Sequence, residues 1–222
     1  MRPVSIETVQ YYPFQVKGYQ NSYPARRIVV IPPVDERDFT DAGGVGHEPE
    51  DGHPAVGVIL DQSGKIDQRL YGPPLEELIQ SAVASAAREA GMVSSITALG
   101  LKPTLAAPGA DYVMATEIKR CWVNKHRGPD DSSGATWSSA ADVSLAIAIY
   151  KPPFSVPFWQ GDSVATFNDP PLSTNGGGPE DATEIYDQPG QVLSVALTRA
   201  VAGIFKRDDL RTLLVQDSQP QQ

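Results

Sequence analysis

The chain has 222 residues, a formal net charge of −9 and one cysteine, enough length for one sizeable domain with its own core and no thiol pair to staple it. The negative balance argues against nucleic acid and anionic membrane surfaces as partners, because both are bound through clustered Lys and Arg. The longest strongly apolar run, Val143 to Tyr150, falls far short of the roughly 20 residues that a spanning helix needs.

Residues 1–27 are rich in Tyr and Pro, with Tyr11, Tyr12, Pro13, Tyr19, Tyr23 and Pro24, and carry neither helical nor strand periodicity, so they read as an extended N-terminal arm. No apolar targeting stretch follows Met1. Taken literally the chain starts in the cytosol; the alternative is an export signal removed ahead of it. Ile28-Val29-Val30-Ile31 reads as a strand buried on both faces, stopped by Pro32-Pro33. Residues 34–55 hold Gly43, Gly44, Gly46, Pro49, Gly52 and Pro54 and are expected to form a long loop, a place where function or disorder concentrates. Val56 to Leu60 and Ile66 to Tyr71 flank Asp61-Gln62-Ser63-Gly64-Lys65, the pattern of a hairpin whose Gly supplies a positive φ.

Gly72-Pro73-Pro74 opens the clearest helix. Glu76 and Glu77 face its positive end, Gly91 can cap the other, and Leu75, Leu78, Ile79, Ala82, Val83, Ala86 and Ala90 make one apolar face. Met92 to Thr97 reads as a short strand, Leu105 to Gly109 as a turn and Tyr112 to Asn124 as a longer strand. Val143, Leu145, Ile147 and Ile149 alternate with Asp142, Ser144, Ala146 and Ala148, which predicts a half-buried, antiparallel strand. Phe158 to Phe167 extends that sheet. Residues 168–190, with Gly176-Gly177-Gly178, are expected to be a second long, mobile loop. A last helix spans about Gln191 to Phe205, with Leu193, Ala196, Leu197, Ala200, Val201 and Ile204 on one face. Residues 216–222 read as a disordered tail.

The acidic stretch with Asp35, Glu36, Asp38, Asp41, His47, Glu48, Glu50, Asp51 and His53 has the donor types of a metal site but not the ordered spacing of a calcium loop. A solvated acidic loop is the expectation, with an ion-dependent enzyme using residues 35–53 as the alternative. Cys121 and His126 lie five apart on an extended run, which points their side chains to opposite faces. Ser81, Ser85 and Ser94 sit in no nucleophile elbow, and the triple glycine lacks the Lys and the strand-to-helix context of a phosphate loop. No catalytic, cofactor or metal residue is assigned. Trp122, Trp137 and Trp159 fall in or beside the strongest strands, where aromatic residues serve either the core or an interface.

The run Ile28-Val29-Val30-Ile31-Pro32-Pro33-Val34-Asp35-Glu36-Arg37-Asp38, the helix and strand at Leu75 to Val93, the alternating Ala141 to Tyr150 and the closing helix at Gln191 to Phe205 together resemble the YajG-like envelope lipoproteins. These belong to a wider set of small periplasmic α+β lipoproteins that includes auxiliary subunits of envelope transport systems. The resemblance implies an exported protein held at the outer membrane by a lipidated N-terminal cysteine, acting by contact with other proteins. No such cysteine is present, since Cys121 lies in a strand, so the anchor would have to precede this sequence.

The expected architecture is a two-layer α+β domain over residues 28–215, two helices on one face of a mainly antiparallel sheet. The expected function is that of a non-enzymatic, periplasmic, outer-membrane-associated subunit that binds or scaffolds other proteins and uses no cofactor. An unstructured aromatic arm must dock on something, either its own sheet edge or a neighbouring copy. Homo-oligomerisation through Tyr11, Tyr12, Tyr19, Tyr23, Trp122 and Trp159 is the preferred contact.

Overall fold

A computed structural model describes residues 4–5, 9–12, 22–38, 53–97, 109–131, 134–173 and 181–218. In chain order these form β1 (Val4–Ser5), β2 (Arg27–Val30), β3 (Val34–Asp35), β4 (Ala55–Leu60), β5 (Ile66–Tyr71), α1 (Leu75–Glu89), β6 (Val93–Ile96), β7 (Tyr112–Asp131), β8 (Gly134–Tyr150), β9 (Pro157–Ser173), α2 (Asp181–Phe205) and α3 (Asp208–Asp217). The nine described strands make one mixed sheet, and the three described helices lie on one of its faces.

β7 is the axis of that sheet. Along one edge it pairs antiparallel with β8, from Val113 against Tyr150 to Asp131 against Gly134, and β8 pairs antiparallel with β9 in turn. Along its other edge three short strands follow one another, all parallel to it: β2 at Tyr112 to Met114, β3 at Glu117 and Ile118, and β4 at Val123 to His126. β6 flanks β2, β5 flanks β4, and β1 flanks β5. The expected α+β class is borne out, and the long pairings are the antiparallel ones; the parallel pairings are short additions that the β-branched run at Ile28 could not announce.

The period of two holds as read. Val143, Leu145, Ile147 and Ile149 turn inward to the helices, and from β7 Tyr112, Met114, Ile118, Cys121 and Val123 join them. A bulge between Ile118 and Arg120 switches the inward positions of β7 from even to odd numbers, keeping apolar residues inside on both sides of it. The helices contribute Leu75, Ile79 and Val83 from α1, Leu193, Leu197 and Val201 from α2, and Leu210 and Leu214 from α3. α2 rests close on β9, since a Cβ at Gly203 would lie 2.4 Å from Ser163 Oγ. That hydroxyl donates to the Ala200 carbonyl at 2.5 Å. The expected turn glycines carry positive φ, +79° at Gly64 and +109° at Gly91, and Met92 N–H closes α1 on the Ala87 carbonyl at 3.0 Å.

Four expectations need correction. Within 168–190, expected as a loop, residues 168–173 continue β9 and residues 181–190 begin α2, while 174–180 lie outside the described residues. Pro170 and Pro171 fit there because an edge strand tolerates Pro, while Pro189 lies inside α2. Within 34–55, Val34–Asp35 and Ala55 are strand residues, and 39–52 lie outside the described residues. α3 was not expected, because it begins beyond the polar Lys206-Arg207 and offers only Leu210, Leu213 and Leu214 as a stripe; it carries helix into the expected tail as far as Asp217.

The fourth correction concerns the arm, whose described residues dock on their own domain, the alternative to the preferred contact with a neighbouring copy. β1 adds to β5, with Val4 opposite Leu70. Gln10 N–H donates to Ser194 Oγ at 2.9 Å and Tyr12 N–H to Thr198 Oγ1 at 3.1 Å, so the strand-like arm runs along α2. Val9 and Tyr23 are buried in the main core. Tyr23 bonds at both ends, N–H to the Ala90 carbonyl and hydroxyl to the Phe205 carbonyl, each at 3.0 Å.

The gap between β3 and β4 on the edge of β7 is closed by one side chain. Arg37, 6 % exposed, donates through Nη1 to the carbonyls of Ala55 at 2.8 Å and Cys121 at 3.3 Å, and grips the Asp35 carboxylate through Nε and Nη2. Its fork supplies donors to carbonyls at the point where no strand does. Arg37→Met is expected to cost about 3 kcal/mol, because it strands two buried carbonyls and a carboxylate at once. Urea unfolding with an unchanged m-value is the measurement, and a loss under about 1 kcal/mol contradicts the role.

Candidate functional site

Where β7 begins and β8 ends, the sheet meets the last turn of α3 in a cleft of about 200 Å³ lined by Arg26, Ala110, Asp111, Tyr112, Lys151, Pro152 and Asp217. The Tyr112 ring is buried, tilted against Phe158 at 5.9 Å, and its hydroxyl donates to Asp217 Oδ2 at 2.5 Å. Lys151 forms an ion pair with the same carboxylate and lies over the Phe158 ring at 5.7 Å. Asp111 Oδ2 accepts the Arg27 N–H at 2.8 Å, and Arg26 Nη1 stands 3.9 Å from Asp111 Oδ1 while its Nε donates to Ser218 Oγ at 3.3 Å.

This lattice fixes protonation states. Burial pushes the Tyr112 phenol up, and the bond to the Asp217 carboxylate adds to the rise. Burial pushes Asp217 up as well, but hydrogen bonds from Lys151 and Tyr112 outweigh it and hold the carboxyl below its ordinary range. Through neutral pH the tyrosine stays protonated and the aspartate charged. The cleft presents charges of both signs, and neither Tyr112 nor Asp217 changes its protonation state near neutral pH.

Lys125 is a second ionisable group of note, 2 % exposed on the helix side of β7. Burial pushes it down to about 8, and its ammonium sits 5.0 Å from the centre of the Trp137 ring, a partial compensation through the ring's negative face. Lying between Asn124 and His126, it carried no sequence signal beyond its odd-numbered place after the bulge. Cys121 is buried on that same face, where burial pushes its thiol up to about 12, and His126, at an even position, belongs to the opposite one, as the alternation requires.

The residues expected to bind a partner are not brought together. Tyr23 lies in the core, edge-on to Phe205 at 6.0 Å. Tyr11 is half-buried, with its hydroxyl donating to Glu89 at 3.2 Å, and that burial pushes its pKa up. Tyr12 is exposed, and Tyr19 lies outside the described residues. Trp159 is in the helix-side core with Nε1 donating to Asp209 at 3.1 Å. Trp122 is on the opposite face, clustered with Ala55, Val58 and Tyr71. One surface cannot include both tryptophans, because the sheet lies between them. Of the acidic stretch, Asp35 is bound by Arg37 and Glu36 by Lys119 at 2.5 Å, His53 Nδ1 lies 3.2 Å from the Gly72 carbonyl, and 39–52 lie outside the described residues. Among the described residues no group of three metal-ligand side chains occurs, and no helix is long and apolar enough to cross a membrane.

Lys125 sets a pH dependence whose sign is fixed. Between about pH 8 and the ordinary lysine range the unfolded chain holds a proton that the folded chain has released, so stability rises with pH across that window. The advantage of Lys125→Met over the native chain is expected to fall between pH 7 and about pH 10, as the native chain gains the stability that Met cannot gain. Urea midpoints at the two pH values check it; a gain that grows with pH contradicts the assignment.

No family model matches the sequence, and no curated protein matches it. Solved structures do. Protein XCC0632 from Xanthomonas campestris, of the DUF330 family, aligns over 97 % of this chain and 99 % of its own at 13 % identity, with a TM-score of 0.53. The PelC dodecamer from Paraburkholderia phytofirmans covers 83 % and 95 % at 11 % identity, with a TM-score of 0.35. Lipoprotein GNA1162 from Neisseria meningitidis covers 76 % and 98 % at 15 % identity, with a TM-score of 0.28. This chain shares its fold with the DUF330 protein along nearly the whole of both.

Proposed function

We propose that this protein is a subunit of the bacterial cell envelope, outer-membrane associated, that works by binding or scaffolding other proteins rather than by catalysis. The observation that carries the non-catalytic part is the cleft: the Tyr112 hydroxyl and the Lys151 ammonium are both committed to the Asp217 carboxylate, with Tyr112 held protonated and Asp217 held charged, which suits a fixed polar surface better than proton transfer. The envelope part rests on the sequence resemblance to YajG-like lipoproteins.

Cells expressing the native gene from its own start are expected to carry the protein in the envelope fraction, labelled by a radioactive or clickable fatty acid. A soluble, unlabelled cytosolic protein overturns the location. Protein purified without chelator is expected to contain no divalent ion in stoichiometric amount, and one ion per chain by elemental analysis turns the reading toward a metal-dependent activity of residues 35–53.

A further inference from the structure

β9 pairs with β8 alone among the described strands. Which of its backbone groups face the free edge follows from β7. Ile31 N–H donates to the Met114 carbonyl and Glu36 N–H to the Ile118 carbonyl, each at 3.1 Å, so even residues in this part of β7 turn their backbone groups to β2 and β3. Odd residues turn to β8, where Ala115 meets Ala148 and Glu117 meets Ala146. That leaves Leu145, Ile147 and Ile149 to bond Ser163, Gly161 and Trp159 of β9. Gln160, Asp162, Val164, Thr166 and Asn168 therefore aim N–H and C=O outward. One of these groups is already taken, because Arg207 Nη1 donates to the Asp162 carbonyl at 3.2 Å.

We propose that this edge pairs antiparallel with the same edge of a second copy of the chain, with the two-fold axis at Thr166. The register places Thr166 opposite Thr166, Val164 opposite Asn168 and Asp162 opposite Pro170, where β9 leaves its regular pairing with β8 in a bulge between Asp169 and Leu172. Pro170 has no N–H to give, and the Asp162 carbonyl needs none, since Arg207 supplies it. Moving the axis to Val164 aims the Thr166 N–H at that occupied carbonyl. Moving it to Asn168 sets the Thr166 carbonyl against Pro170 and leaves it without a donor. A chain whose missing donor falls opposite its own satisfied acceptor is complementary to itself, which a foreign strand has no reason to be. On the helix side the register lays Ala165 against Phe167, both only partly buried, with Arg199 stacked on the Phe167 ring at 4.7 Å. On the other side it covers Val164, 68 % exposed, and sets no like charges face to face. The inference is independent of where in the cell the protein resides.

Thr166→Cys tests the axis. Opposed residues of a hydrogen-bonded antiparallel pair lie about 5.5 Å apart at Cα, inside the range a disulfide spans, and the native Cys121 is buried and does not compete. Mild oxidation of the whole chain is expected to give a covalent dimer with T166C, little with V164C or N168C alone, and a dimer when those two are mixed. Thr166→Pro removes only an outward N–H, and is expected to convert a light-scattering mass of twice 23.8 kDa to one, with an unchanged circular-dichroism spectrum. A wild-type protein that stays monomeric at the highest soluble concentration overturns the proposal, whatever else binds the edge. Equal cross-linking of V164C and T166C also overturns it. Should T166P fail to fold, the cysteine variants still decide.

Discussion

A single 20-residue strand, β7, is the constraint on which the other elements depend, and its two edges set different problems. One edge is zipped to β8 along almost its whole length, broken only by irregularities between Ile118 and Arg120 and between Arg127 and Asp130. The other is shared among three segments of two to six residues, none of which has enough backbone bonds to hold its place alone. Each is secured from outside the ladder. Gln80 of α1 donates to the Val30 and Thr97 carbonyls at 2.9 Å, tying the end of β2 to the strand beyond it. Arg37 spans the interval between β3 and β4. The Asp-x-Arg pattern that supports the family resemblance is thus a structural clasp, and its buried guanidinium is kept because it meets three acceptors at once rather than because a charge inside is favourable in itself.

The helix layer follows from the same sheet. Alanines on the inner faces of α1 and α2, among them Ala82, Ala86, Ala196 and Ala200, allow both helices to lie low, and Gly203 removes the last side chain between α2 and Ser163. Low-lying helices leave a seam between them, into which the described arm residues pack; Tyr11 reaches α1 at Glu89 while Gln10 and Tyr12 bond α2. An arm that satisfies its own N–H groups on helix hydroxyls has spent its capacity for strand addition at those positions. Of the arm's aromatic residues, Tyr11 and Tyr23 fix a segment without periodicity to its own domain.

Regular elements were legible where one rule governed the residue choice. The period of two at Val143 to Ile149 and the period of 3.6 at Leu75 to Ala90 each reported a single apolar face, and Gly64 and Gly91 reported backbone that only glycine adopts freely. What the sequence hid depended on two rules acting together. β7 changes the parity of its inward positions at a bulge, so its alternation cancels over the whole length. Pro170 and Pro189 break strands and helices in isolation but sit at an edge and within a long helix here. The cleft was invisible for another reason: Arg26, Asp111, Tyr112, Lys151 and Asp217 come from four separate stretches of chain, and nothing in the local pattern of any one refers to the others.

The exposed surface divides along the same lines. Among the described residues β6 pairs with β2 alone, and it is four residues long with Val93 and Ile96 exposed, too short to template an extended pairing, whereas β9 has 17 residues. A strand of that length with an open edge invites indefinite association. Here the open window is narrowed from both ends, by Arg207 on the Asp162 carbonyl and by the two prolines at 170 and 171, to the five residues from Val164 to Asn168. A window so bounded admits one register against itself, and a two-fold pairing consumes both edges and closes. The features that keep β9 from stacking without limit are therefore the same features that would make one pairing specific.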